Sequence, residues 1–335
     1  MLKIALLGAG RIGQVHARSI ASHLDCRLAA IADVASEAAQ KLAAQYGTQV
    51  ATVDSIVDDR SIDALLIATS TDTHADLIER ATACGKAVLC EKPVDLSLER
   101  ALQCQATVAQ TRKPVMIGFN RRFDAQFSAL KAVFDKGEIG RAELLSITSF
   151  DPAPPPLSYL GGSGGLFRDM MIHDFDMACW IMGGAPATIS ATGSALVDPE
   201  VASIGDVDTA VATLTWRDGR IAVIKNSRRA GYGYDQRVEL LGSAGLLSAK
   251  NVLENTLEKI TDAGTLTAKP MYFFLERYMR AYEAEWAAFV EALKAGTRMP
   301  VTLTDGVAAL ACAEAATRAA RTGERVAITS DMLGT

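Results

Sequence analysis

The hexapeptide Gly8-Ala9-Gly10-Arg11-Ile12-Gly13 is the feature that most limits what this chain can fold into. It follows the apolar run Lys3–Leu7 directly and opens Ile12–Ser22, a stretch with helical spacing of apolar residues. Glycines at the first, third and sixth positions permit a tight turn, close approach of a phosphate to the backbone, and close seating of helix on strand. The helix N-terminus then offers N–H donors and a partial positive charge to that phosphate. Asp33 ends a second apolar run, Arg27–Ala32, 20 residues beyond Gly13, where a carboxylate can accept hydrogen bonds from a ribose. The pattern is that of a dinucleotide-binding strand–turn–helix–strand unit; a plain glycine turn with an Asp helix cap is the structural alternative. Val34 and Ala35 follow Asp33, so no Arg meets a 2′-phosphate and the carboxylate repels one. The sequence therefore predicts NAD rather than NADP.

The rest of the first third continues the alternation. Apolar runs Ala64–Ala68, Ala87–Cys90 and Val115–Gly118 read as strands, and Ala35–Tyr46, Thr73–Cys84 and Leu98–Thr111 as helices. Strands alternating with helices predict a doubly wound parallel sheet, the Rossmann arrangement, over residues 1–120. From Glu143 onward the pattern changes. Alternating runs at Leu144–Phe150, Thr188–Leu196, Thr209–Trp216, Ile221–Asn226 and Arg237–Leu241 predict a large, open, mostly antiparallel sheet. The fold class is thus α/β, with an N-terminal Rossmann domain and a C-terminal α+β domain over residues 121–335. Two further helices are expected at Tyr272–Ala295 and Thr304–Thr322, the second a candidate to pack back on the first domain. Asp151–Gly165 holds four of the ten prolines and four glycines and is expected to be neither helix nor central strand.

Composition removes several function classes. The chain has 335 residues, with 34 basic and 39 acidic side chains and no Lys/Arg run, which argues against nucleic acid or an anionic membrane as partner. No apolar run approaches the ~18 residues of a membrane span, and the start does not read as a signal peptide. Six scattered cysteines without a C-x-x-C pair read as buried thiols in a reducing cytoplasm, not as disulfides or a zinc site.

Candidate catalytic groups are few. Of four histidines, His16 follows the glycine motif and suits binding or packing, while His23 reads as a solvated helix-end residue. His74, with Thr69 in the loop after Ala64–Ala68, lies at the carboxyl edge of the predicted sheet, where ligands bind and helices are capped. His173 stands out. A helix starting near Gly165 would place Asp169, His173, Asp176 and Trp180 on one face of an otherwise apolar helix. A carboxylate beside an imidazole raises its proton affinity, which suits a general base for an alcohol; a buried, satisfied polar cluster is the alternative, and a metal site the weaker reading. Lys92, in Cys90-Glu91-Lys92-Pro93, follows the Ala87–Cys90 strand on a turn stiffened by proline and could stabilise a developing alkoxide.

These residues carry a resemblance. GAGRIGQVHA, Glu91-Lys92-Pro93, GFNRRFD (118–124), the glycine-rich 164–180 segment with its Asp169 and His173, and YGYDQRVE (232–239) together resemble the glucose–fructose oxidoreductase and inositol dehydrogenase family. The match is nearest its inositol dehydrogenase branch. The resemblance implies an NAD-dependent oxidation of a cyclitol ring alcohol, myo-inositol to its 2-ketone, or of an aldose; a non-catalytic NAD-binding sensor is the alternative from another class. It implies Lys92, Asp169 and His173 as the catalytic set, Thr69, His74, Glu91 and Lys92 beside the cofactor, and Arg122, Asp151, Asp176 and Tyr234, with the catalytic three, around a small polyol. Lys92 and His173 would cover the roles a zinc ion plays, so no metal is expected, and the resemblance implies a homotetramer or homodimer formed through the C-terminal sheet.

Overall fold

The computed structural model describes residues Met1–Gly334, which divide into two compact units. The first contains Met1–Phe123, Arg280–Ala308 and the chain end from Asp331; the second contains Asp124–Met279 and Ala309–Ser330. Sequence patterning placed residues 121–335 in the second domain, with the helix at 304–322 a candidate to pack back on the first. Arg280–Ala308 nevertheless lies in the first unit, because two long helices change unit along their length and periodicity carries no mark of such a change.

In the first unit six strands form one sheet: β1 (Leu2–Leu7), β2 (Cys26–Ala32), β3 (Gln49–Val50), β4 (Ala64–Ile67), β5 (Ala87–Glu91) and β6 (Val115–Gly118). All pair in parallel, in the order β3-β2-β1-β4-β5-β6. Ile4–Leu7 and Ala64–Ile67 are buried throughout, as strands covered on both faces must be. The intervening helices are α1 (Arg11–Ser22), α2 (Ser36–Tyr46), α3 (Val53–Asp58), α4 (His74–Ala83) and α5 (Leu98–Thr111). Gly47, at φ +61°, ends α2, and the Ser97 hydroxyl starts α5 by accepting the Arg100 N–H. β3 and α3 had no sequence-level expectation, since two and six residues are too short to show a period. The strand order reverses between β1 and β4, which opens the crevice where such sheets bind ligands.

The second unit runs α6 (Ala125–Asp135), β7 (Ala142–Phe150), α7 (Leu157–Leu160), α8 (Leu166–Asp169), α9 (Ile172–Met182), β8 (Thr188–Ser194), α10 (Pro199–Ser203), β9 (Thr209–Thr215), β10 (Ile221–Ser227), β11 (Asp235–Gly242) and β12 (Gly245–Ala249). An exposed hairpin follows, β13 (Glu258–Thr261) with β14 (Gly264–Thr267). The remaining elements are α11 (Phe274–Ala295), α12 (Leu303–Thr322), β15 (Val326–Ala327) and α13 (Ser330–Leu333). The large sheet has the order β12-β11-β7-β10-β9-β8-β15; β7 and β10 pair in parallel and every other neighbouring pair is antiparallel. Two expectations fail here. The Pro/Gly-rich segment does hold a one-turn helix, α7, placed after its last proline, where the ring no longer blocks helical hydrogen bonding. Cys84 is exposed, while the other five thiols are buried and free. Among the described residues no helix is long and apolar enough to cross a membrane.

One buried charge ties α9 to this sheet. Asp174 is fully buried and accepts hydrogen bonds from Ser149 Oγ of β7 at 2.6 Å and Asn226 Nδ2 of β10 at 2.8 Å. Ser149 has a second acceptor in Gln236 Oε1, 3.0 Å away, whereas loss of Asp174 takes from the Asn226 amide the acceptor seen here. Leaving one buried donor without a partner costs about 1–3 kcal/mol. Asp174→Ala should therefore lower the urea midpoint of the second unit by a corresponding amount; an unchanged midpoint would show that the contact is energetically idle.

Candidate active site

The carboxyl edge of the parallel sheet is shaped by absent side chains. Gly8 sits at φ +102°, and a Cβ on it would lie 2.2 Å from the Ala68 carbonyl oxygen. A Cβ on Gly13 would lie 2.0 Å from the Gly8 carbonyl oxygen, so α1 can rest on the β1 turn only with glycine there. Gly10 is exposed, with nothing within 4 Å of where its Cβ would be. α1 starts there with no side-chain cap and no acidic residue in its first turn, which leaves the positive end of the helix dipole without a competing carboxylate of that turn. That is the cradle a pyrophosphate requires. Asp33 is half-buried and does more than sequence suggested. Its Oδ2 accepts the Ala9 N–H at 2.6 Å and its Oδ1 the Ala35 N–H at 2.7 Å, so it holds the glycine turn as well as standing where a ribose would bind. Val34 beside it is fully exposed. These residues fit a dinucleotide, with Arg11 exposed and Ile12 half-buried at the start of α1.

Beyond β4 and β5 the edge is braced by two histidines. His74, 1% exposed, has Nδ1 2.8 Å from the Pro93 carbonyl oxygen and Nε2 3.1 Å from that of Thr69. It is a strut between the Thr69 loop and the Glu91–Pro93 turn, with both ring nitrogens against backbone carbonyls. Thr69 Oγ1 in turn pairs with Thr73 Oγ1 at 2.7 Å. His16, fully buried, has Nε2 2.7 Å from Glu91 Oε1 and Tyr282 edge-on to its ring. Glu285 of α11, also fully buried, completes a group whose ligand atoms all lie within 4.8 Å of one another. These three could ligate a metal. A tetrahedral ion with bonds of about 2 Å would, however, hold its ligand atoms roughly 3.3 Å apart, so the His16–Glu91 contact is that of a shared proton. Sequence analysis missed Glu285, which is one of several acidic residues on a long amphipathic helix. Lys92 follows Glu91, is half-buried, and joins Pro93 through a cis peptide bond. Arg122 is buried and donates to Asp305 Oδ1 at 3.0 Å. Burial raises the Asp305 carboxyl, but the Arg122 charge and the Thr302 donors outweigh it and leave the carboxyl below the usual range. Arg122 therefore has a structural role whether or not it meets substrate.

The second unit carries the segment in which the acid–base pair was expected. The single helix expected from Gly165 is broken: α8 ends at Asp169, Met170 and Met171 form a turn, and α9 begins at Ile172. Gly165, at φ +85°, brings α8 against Asp206, whose Oδ1 accepts the Leu166 N–H at 2.9 Å. Asp169 and His173 are both half-buried, while Asp176 is 1% exposed. Asp169 Oδ1 accepts the Tyr159 hydroxyl at 2.9 Å and Oδ2 accepts Arg228 Nη2 at 3.0 Å. Arg168 points away and pairs with Glu314 of α12. Sheet register gathers three further residues at one end. Phe150 pairs with both Ser227 and Asp235, and the Asp151 N–H donates to the Ser227 carbonyl at 2.9 Å. Asp151, Arg228 and Tyr234 are thus the next residues on three adjacent strands. Tyr234 is buried, edge-on to Tyr278 at 5.9 Å between ring centres. Neighbouring Tyr232 donates to Asp235 Oδ2 at 2.6 Å; burial first, then that carboxylate, push its phenol up to about 12.

Comparison with known proteins agrees with this geometry. Residues 2–119 match the GFO/IDH/MocA oxidoreductase family with its NAD-binding Rossmann fold, and residues 127–248 match the GFO/IDH/MocA C-terminal domain. The inositol 2-dehydrogenase of Rhizobium meliloti (strain 1021) is 45% identical over 98% of this chain and 99% of its own. The crystal structure of a myo-inositol dehydrogenase from Corynebacterium glutamicum superposes with a TM-score of 0.94 at 43% identity, covering 98% of this chain and 99% of that one. That of scyllo-inositol dehydrogenase from Lactobacillus casei, with bound NAD(H) and scyllo-inositol, gives 0.91 at 30% identity over 98% of this chain and 99% of that one. With both parts of the chain matched and the glycine cradle in place, the chain belongs to the GFO/IDH/MocA family of NAD-binding oxidoreductases.

Proposed function

We propose that the protein oxidises a ring secondary alcohol of a cyclitol, myo-inositol to its 2-ketone, with Lys92, Asp169 and His173 as the catalytic residues. The observation that carries this reading is the Asp169–His173 pair: two half-buried ionisable groups in a segment whose neighbours Met170, Met171, Ile172 and Phe175 are all buried. The end-to-end similarity to inositol dehydrogenases supports the substrate class. The first unit holds NAD through Gly8, Gly10, Gly13, Asp33 and the Thr69 loop, and the second recognises the polyol through Asp151, Asp176 and Tyr234. The enzyme works in the cytoplasm, where its free thiols stay reduced.

NAD, when bound, supplies the hydride acceptor. The chain's own residues move the proton and hold the charge. The His173 imidazole takes the proton of the reacting hydroxyl as its carbon gives up hydride. The Asp169 carboxylate stabilises the resulting imidazolium and fixes the ring's orientation. The Lys92 ammonium donates to the reacting oxygen and lowers the cost of its alkoxide character. Atoms balance: one hydride and one proton leave the alcohol, and a ketone remains.

The sheet of the second unit supports assembly with further copies of the chain. Leu246, Leu241, Leu144 and Ile221 are in direct register across β12, β11, β7 and β10, and each is 39–56% exposed. A row of four exposed aliphatic side chains on one sheet face is what subunit contacts cover. The proposed assembly is a homotetramer.

Three outcomes test these readings. Reduction of NAD should be seen with myo- or scyllo-inositol and not with aldoses, and His173→Ala should lower kcat by about 10²- to 10⁴-fold while NAD affinity stays intact. Normal turnover by folded His173→Ala protein would overturn the acid–base assignment. Replacing Asp33 by Ser together with Val34 by Arg should shift kcat/KM toward NADP. Because Asp33 also holds Ala9, the absolute rate with either cofactor should drop. Placing Lys at both Leu144 and Leu241 should move sedimentation toward smaller species without unfolding the chain; an unchanged sedimentation coefficient would exclude this face.

A further inference from the structure

We infer that Arg228 is a positioning residue of the reaction: its buried guanidinium fixes and electrically balances the Asp169 carboxylate, so that Asp169 meets His173 in one geometry and with moderated charge. The inference rests on the reading of Asp169 and His173 as the acid–base pair.

The break in the helix makes such a residue necessary. In one continuous helix, Asp169 and His173 would be held four residues apart by the backbone hydrogen bonds between them. Here α8 ends at Asp169 and α9 begins at Ile172, with Met170 and Met171 between. Met170 and Met171 both donate to the Leu166 carbonyl, at 3.0 and 2.9 Å, and α9 starts afresh with Asp174 and Phe175 on the Met171 carbonyl. No helical ladder sets where the Asp169 side chain points relative to His173, and tertiary contacts have to do so.

Two such contacts reach the carboxylate on different oxygens. Tyr159 of the Pro/Gly-rich segment reaches Oδ1 at 2.9 Å, and Arg228 reaches Oδ2 at 3.0 Å. They differ in rigidity. The Tyr159 ring is 53% exposed on a one-turn helix. The Arg228 side chain is 1% exposed, and its backbone N–H donates to the Asp208 carbonyl at 2.8 Å just beyond β10. Asp208 is itself locked, accepting the N–H groups of Leu196, Val197 and Asp198 at 2.8–2.9 Å. Arg228 is therefore the fixed point from which Asp169 is aimed.

Its charge matters as much as its position. The other charged groups around this segment are spoken for: Arg168 pairs with Glu314, Asp174 with Ser149 and Asn226, and Asp206 caps α8. Arg228 is a buried cation in direct contact with the Asp169 carboxylate. An unshielded carboxylate would hold the His173 proton tightly and leave the imidazole charged at the pH where it must act as a base. A guanidinium on the far oxygen reduces that pull.

The test compares kcat, KM for polyol and for NAD, and the acidic limb of the pH–rate profile. Arg228→Gln should lower kcat by up to about 100-fold, leave KM for NAD unchanged, and move the acidic limb to higher pH. Asp169→Asn should move the limb in the opposite direction. Arg228→Lys keeps the charge with a shorter reach, so its limb should stay in place while kcat falls part of the way. In the double variant Asp169→Asn/Arg228→Gln, the Arg228 effect should vanish, because the residue acts through Asp169. Folded Arg228→Gln protein with wild-type kcat and limb overturns the inference. Should that variant not fold, wild-type kcat in Arg228→Lys overturns it instead. His173→Ala, run in parallel, separates the two claims: retained turnover there defeats the acid–base reading itself, whatever Arg228 does.

Discussion

Contact between the β1 turn and the first turn of α1 is the constraint on which the cofactor half of this protein depends. A methyl group on Gly13 would sit 2.0 Å from the Gly8 carbonyl oxygen, and one on Gly8 would sit 2.2 Å from the carbonyl of Ala68. Both distances are far inside van der Waals contact and involve backbone, which cannot swing aside. The missing side chains let β1, α1 and the end of β4 meet, and the N-terminus of α1 opens on the sheet's carboxyl edge. Asp33 then closes the arrangement from β2 by accepting the Ala9 N–H. The carboxylate proposed to meet the cofactor's ribose is thereby also part of the glycine turn itself.

The same economy recurs with charged groups elsewhere. His16 and Glu91 connect α1 to the end of β5, so the residue after Glu91, Lys92, starts from a buried and hydrogen-bonded neighbour. His74 connects the Thr69 loop to Pro93 on the other side of that turn. In the second unit Asp174 anchors α9 to two strands, and Arg228 anchors the end of α8. Buried polar groups are costly unless paired, and each of these pairings joins two different elements. Their effect is to leave the half-buried Lys92, Asp169 and His173 on rigid supports.

Much of this was legible in the sequence. β1, β2, β4, β5 and β6 fall within a residue or so of their expected bounds, as do α1, α2, α4 and α5, because apolar runs and helical periods are local properties. β7 to β11 were visible for the same reason. The glycine motif, Asp33 and the Glu91-Lys92-Pro93 turn were readable because each needs particular residue types at fixed spacing. β3 and α7 were not, being shorter than any period that could reveal them.

What the sequence determined by itself was the fold class, the NAD-binding turn and the residue types available for alcohol oxidation, all of which follow from neighbours along the chain. Only the tertiary structure decided which groups hold those residues in place. Asp169 and His173 are four apart in sequence, yet a break in the helix leaves their relation to Arg228, 59 residues further on, and to Tyr159. Glu285 joins His16 and Glu91 from a distant helix, and Arg280–Ala308 joins the first unit from beyond the second. Such partners are set by how buried charge must be paired once strands and helices pack, and spacing along the chain records none of it.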